Sequence, residues 1–192
     1  PMVFGGNSST WNMNGGLEIA DGTTLTIGNT ADQAKTINIT GDLSTGTGGV
    51  LNFGDQNNGH TITINGTIDN TGTLDFYNSS SKYCNLSITP SASFSLGGTL
   101  EFNNLSFVNS GSSKTITLES SFSVQGDLSV GTNNDIIFGT PTARTITLYG
   151  NLSCSGKVDM SEATHVFNLG GASNSCTTFT TDAYASTVNY NR

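Results

Sequence analysis

A four-residue phrase, polar then apolar then polar then apolar, returns along this chain at intervals too regular for an ordinary globular domain. It reads Thr36-Ile37-Asn38-Ile39, Thr61-Ile62-Thr63-Ile64, Asn85-Leu86-Ser87-Ile88, Thr115-Ile116-Thr117-Leu118 and Thr145-Ile146-Thr147-Leu148, with Thr10-Trp11-Asn12-Met13 ahead of them. The phrases begin at residues 10, 36, 61, 85, 115 and 145, so successive starts lie 26, 25, 24, 30 and 30 residues apart. Strict alternation marks a strand with one face in a core and the other in water. Recurrence of such a strand every few tens of residues marks a solenoid, in which each repeat is one coil that covers its neighbour.

Two shorter apolar stretches follow each phrase. The second strand is expected at Leu17 to Ile19, Leu43, Ile68, Phe94 to Leu96, Phe122 to Val124 and Val158 to Met160. The third is expected at Leu25 to Ile27, Leu51 to Phe53, Leu74 to Phe76, Leu100 to Phe102, Ile136 to Phe138 and Phe167 to Leu169. Three strands per turn predict an all-β, single-stranded β-solenoid of about six to seven triangular coils of 24–32 residues, filling residues 1–192 as one domain. At the interstrand spacing of about 4.8 Å such a stack is about 30 Å long. Ile37, Ile39, Leu51 and Phe53 are predicted to face inward, and Thr36, Asn38 and Asn52 outward. The longer units place their extra residues in rim loops at Asn103 to Val108 and around Gln125 to Val130. Cys176 to Thr180 fits one residue out of phase, which a bulge or a different terminal arrangement would explain. Whether residues 1–9 join the first coil is left open.

Composition agrees with this class. Hydrophobic residues make up 34% and charged residues 10%, and Gly, Thr, Ser and Asn dominate the rest, a balance suited to turns and wet strand positions rather than helices. A net charge of -8 with six Lys plus Arg provides no basic surface for phosphates, which argues against a nucleic-acid partner. No apolar run approaches the roughly 20 residues of a membrane span, so membrane insertion is not expected. Pro1 is not followed by a charged and then apolar leader.

The wording of the repeats resembles the long β-strand-repeat surface proteins of gliding, type IX-secreting bacteria. Thr-Ile-Thr-Ile with Gly corners, Leu-x-Phe strands and Ser186-Thr187-Val188-Asn189-Tyr190-Asn191 carry the likeness. The chain is more distantly similar to filamentous-haemagglutinin and autotransporter passengers. A composition poor in Lys and rich in Ser, Thr, Asn and Gly leads to an expectation of bacterial secretion, and the resemblance implies a right-handed β-helix with a surface or extracellular-matrix role. It transfers no catalytic residue. In such proteins further repeats follow a phrase like Thr187 to Asn191, which implies a segment or subunit of a longer assembly.

Several side chains are of types that carry chemistry, and each also has a plainer role. Asp75 and Glu101 occupy the same outward position in consecutive coils, with Asn52, Ile137 and Asn168 expected in their column and no Lys or Arg beside them. They are read as solvated positions rather than an acid/base pair. Gly41-Asp42 and Gly126-Asp127 are read as turns rather than calcium loops. His60 and His165 have no Ser or Cys at a nucleophile's spacing. His60 is expected in an exposed basic column with Lys35, Lys114 and Arg144. The outward pairs Thr36/Asn38, Thr61/Thr63, Asn85/Ser87, Thr115/Thr117 and Thr145/Thr147 are expected to form one flat array, as in ice-binding solenoids. Cys84 and Cys176 are expected in one column three coils apart and Cys154 at another corner, so no intrachain disulfide is expected. No catalytic, cofactor or metal residue is assigned and no enzyme activity is expected. The expected function is an extracellular structural or adhesive building block that self-associates head to tail. A carbohydrate-binding or carbohydrate-degrading β-helix acting on a surface glycan is the alternative, and ice binding a minor one.

Overall fold

A computed structural model describes residues 2–4, 10–27, 34–53, 59–108, 111–181 and 184–190, the first three by backbone alone. Every described element is a strand, and parallel pairing runs through the stack. The chain is a β-solenoid of about seven turns, built on three faces.

The first face stacks Thr10–Asn14, Thr36–Thr40, Gly59–Asn65, Lys82–Ile88, Leu105–Phe107, Leu128–Val130, the first half of Leu152–Asp159 and the start of Ser175–Thr180. The second begins with Leu17–Ile19, Leu43–Thr45 and Ile68–Asn70. It continues through Phe94–Leu96, Lys114–Leu118, Asn134–Phe138 and the second halves of Leu152–Asp159 and Ser175–Thr180. The third stacks Met2–Phe4, Thr24–Ile27, Val50–Asn52, Thr73–Asp75, Thr99–Phe102, Phe122–Val124, Thr145–Leu148, Val166–Leu169 and Thr187–Tyr190. Met2–Phe4 therefore extends the third face ahead of the first coil. Pro1, residues 5–9, Asn191 and Arg192 lie outside the described residues.

Alternation decides which side chains enter the core. Ile37, Ile39, Leu51 and Phe53 are buried, as expected, while Thr36, Asn38 and Asn52 reach the surface in part. Ladders of like residues result: Ile37, Ile62, Leu86, Leu105, Leu128 and Leu152 align through successive coils. Phe53, Phe76, Phe102 and Phe122 stack edge to face with ring centroids 4.8, 5.8 and 5.5 Å apart. That geometry suits the quadrupoles of aromatic rings.

From Asn103 onward the coils differ from the expected phase. Leu105–Phe107 and Leu128–Val130 are first-face strands rather than rim loops. Thr115 to Leu118 then falls on the second face and Thr145 to Leu148 on the third. Ile136 to Phe138 is a second-face strand and Phe122 to Val124 a third-face one. Partnered residues lie 19 positions apart between Leu86 and Leu105 and 26 between Trp11 and Ile37, so some coils fall within the expected 24–32 residues and others are shorter. The cause is apolar burial. Leu105 and Phe107 would both face water in a loop, whereas as a three-residue strand both enter the core.

Corners depend on backbone close approach. Gly41 has φ +138, and a Cβ there would stand 2.8 Å from the backbone nitrogen of Gly16 in the preceding coil. Beside it Asp42 Oδ1 accepts bonds from the Thr67 N–H at 2.6 Å and the Thr67 hydroxyl at 2.9 Å. Asp127 Oδ1 likewise accepts from the Asn151 N–H at 2.7 Å. Both carboxylates thus tie a corner to the following coil. The bulge near the last coil is present: three steps from Cys154 to Lys157 face two from Cys176 to Thr178.

Candidate functional site

Asp75 and Glu101 are direct cross-strand partners on the third face, as their outward repeat positions predict. Their column continues through Asn52 on one side and Ser123, Thr147, Asn168 and Asn189 on the other. Ile137 is not in it: that residue pairs with Thr117 and Asp159 on the second face. Asn side chains link coils along this column, with Asn168 Nδ2 donating to Thr147 Oγ1 at 3.2 Å and Asn189 Nδ2 donating to Asn168 Oδ1 at 2.8 Å.

One departure from parallel stacking shapes a groove here. Immediately after Phe76 the chain forms Tyr77–Ser79, which pairs antiparallel with Lys82–Ile88. Ser79-Ser80-Ser81 between two Tyr-containing strands is the turn signal for this hairpin. It sets Tyr77 and Asn78 beside Glu101, Ser123 and Gln125, over Leu100, Phe102 and Phe122, around a groove of about 450 Å³. An aromatic ring, a carboxylate, an amide and a hydroxyl make a polar surface with one stacking plane. Repeat reading identified Asp75 and Glu101 but not Tyr77, Asn78 or Gln125, because the hairpin is an insertion in the period.

The expected basic column does not form. Lys35 and His60 are buried, at 2% and 0% exposure. His60 is the direct partner of Cys84 on the first face. Lys114 starts a second-face strand opposite Asn134. Arg144 precedes a third-face strand and pairs with Glu119 at 3.4 Å. Burial first, and the nearby Lys35 charge second, hold His60 below the ordinary histidine pKa; burial and Arg144 do the same for His165. The histidines therefore act as buried hydrogen-bond acceptors. The Thr array divides for the same reason as the column. Its first three pairs remain in register on the first face, but Thr115/Thr117 and Thr145/Thr147 occupy the other two.

The cysteine arrangement also differs. Cys154 is not at another corner: it is the direct cross-strand partner of Cys176 in the last two coils. Cys84 lies on the same face four coils before Cys176 and in a different column. The shortened fourth coil shifts every later register, which is why spacing alone misplaces the pair.

No protein-family model matches the chain, and no curated protein or solved structure matches it.

Proposed function

We propose that this chain is an extracellular structural or adhesive building block of a bacterial surface stalk, fibre or filament, extended end to end by stacking of its terminal coils. The carrying observation is the outer edge of the last described strand of the third face. Among the described residues, Thr187–Tyr190 has Val166–Leu169 as its strand partner on one side and no strand on the other. Such edges readily accept another strand. Trp11 and Met13 at one end and Phe179 and Val188 at the other are only partly buried against the core, and a further coil would cover them. Contacts of this kind are heterologous and extend without closing. The likeness of the repeats to type IX-secreted surface proteins supports the extracellular placement.

The test is Val188→Pro. The Thr187 N–H donates back to His165 O at 2.8 Å, so alternation turns the Val188 N–H toward the open edge. Proline there removes a donor offered to an incoming strand without taking one from the existing ladder. Light scattering of the unsubstituted protein should rise with concentration, and the substituted protein should stay monomeric. If the unsubstituted protein remains monomeric, or both assemble equally, end-to-end association is wrong and a segment of one continuous stalk is the better reading.

A second reading, a glycan-binding or glycan-cleaving solenoid, is favoured by the groove between the Tyr77 hairpin and Glu101. Sugar rings stack on aromatic faces while carboxylates and amides bind their hydroxyls. A glycan array and a reducing-sugar assay, each repeated with Tyr77→Ala, test it. Silence in both rejects it.

A further inference from the structure

Of the three cysteines in the chain, two meet. Cys154 lies at the end of the first-face half of its strand with its side chain buried, and Cys176 stands directly over it in the next coil. Parallel neighbours are about 4.8 Å apart, inside the Cα separation of roughly 4.4–6.8 Å that a disulfide spans. Both residues occupy the same register position, so their Cβ atoms leave the sheet on the same side. Cys176 is the more accessible of the two, in the last coil and bordering an open groove with Ser175, Asn174 and Tyr190.

We propose that Cys154 and Cys176 are an oxidisable pair, a modification site at which a small-molecule disulfide converts the two thiols into a covalent clasp between the last two coils. Attack begins at Cys176, whose pKa is lowered to about 7 chiefly by the hydrogen bond from Cys154. Cys154, the donor in that bond, is correspondingly raised. The Cys176 thiolate attacks one sulfur of the oxidant, the oxidant's S–S bond breaks, and half of it leaves as a thiolate. The Cys154 proton passes to that leaving thiolate. Cys154 sulfur then attacks Cys176 Sγ, breaks the mixed disulfide and expels the second half as a thiolate, which takes up from solvent the proton that Cys176 released on ionising. Two protein thiols are oxidised, and the oxidant is reduced by two electrons to two thiols. Cys84, buried four coils away with burial pushing its thiol well up, takes no part.

The experiment exposes the reduced full chain to excess oxidised glutathione, quenches with acid, unfolds it and titrates thiols. Three thiols should fall to one, the intact mass should fall by two hydrogens, and peptide mapping should join Cys154 to Cys176. Hydrogen exchange of the 175–180 backbone should slow in the oxidised form. The Cys154→Ser variant should instead retain one glutathione on Cys176, because no resolving thiol remains, and Cys84→Ser should form the clasp unchanged. Persistence of three thiols, a link that includes Cys84, or a glutathione adduct on Cys176 that Cys154 fails to displace would each overturn the assignment.

Discussion

His60 accepts a hydrogen bond at Nδ1 from the backbone N–H of Lys35, 3.0 Å away and one coil earlier. The same relation joins His165 Nδ1 to the Arg144 N–H at 3.0 Å. In both, a basic residue leads into a strand, and the imidazole of the following coil receives its amide beside a phenylalanine, Phe53 or Phe138. A neutral imidazole accepts at one nitrogen, whereas an imidazolium has none free.

Stability should therefore fall in mild acid. Both histidines have folded pKa values below the ordinary value of 6.5, from burial first and a neighbouring cation second. Below about pH 6.5 the unfolded chain binds protons that the folded chain refuses, so unfolding free energy decreases as pH falls. The contribution is complete above that pH and is lost on descent toward the folded pKa. Denaturant midpoints measured between about pH 8 and 5 should decline, and the double variant His60→Gln/His165→Gln should flatten the decline. An unchanged slope in that variant would assign the acid sensitivity to other groups.

Ile62 is sandwiched between Ile37 and Leu86 and is 0% exposed. Ile62→Ala should cost roughly 2–5 kcal/mol, since a closed stack collapses poorly around a cavity. Thr63, its outward neighbour, is half-buried, and Thr63→Ala should cost well under half as much. Chemical denaturation of both variants at constant m-value decides the matter; equal losses would refute the inward and outward assignment.

Two glycines with positive φ separate strain from crowding. Gly41 would bring a Cβ within 2.8 Å of Gly16 N and 2.9 Å of Gly15 C, whereas Gly22, at φ +64, has nothing within 4 Å. Gly22→Ala should incur only the left-handed penalty of about 1–2 kcal/mol. Gly41→Ala should lose more, because neither contact is a movable side chain. Thermal unfolding of the two variants side by side should rank Gly41→Ala lower.

Asp42 tests the corner ties. Its Oδ1 accepts two bonds from Thr67 in the next coil. Asp42→Ala should cost about 1.5–3 kcal/mol, the range for hydrogen bonds to a charged group. Asp42→Asn, which keeps the acceptor oxygen, should recover much of it. Equal destabilisation by both would point to charge rather than geometry, as measured by denaturant midpoints.

Local pattern determined a good deal of this molecule. Thr36 to Ile39 and Thr61 to Ile64 alternate so strictly that only a strand buries their isoleucines and wets their threonines, and return of that phrase after one coil leaves stacking as the way to cover it. The Asp75 and Glu101 pairing followed from the same period. What alternation does not carry is which of three equivalent faces a strand joins, because Thr-Ile-Thr-Leu buries the same two residues on any of them. That choice was made by tertiary packing at Leu105 and Phe107, which enter the core as a short strand and close the fourth coil early. Everything downstream turned with it: Thr115 and Thr145 moved to new faces, Arg144 came to Glu119, and Cys154 came beneath Cys176. The burial of Lys35 with His60 was equally invisible in the sequence, since an amide donor one coil away, and not residue polarity, decides whether an imidazole can leave water.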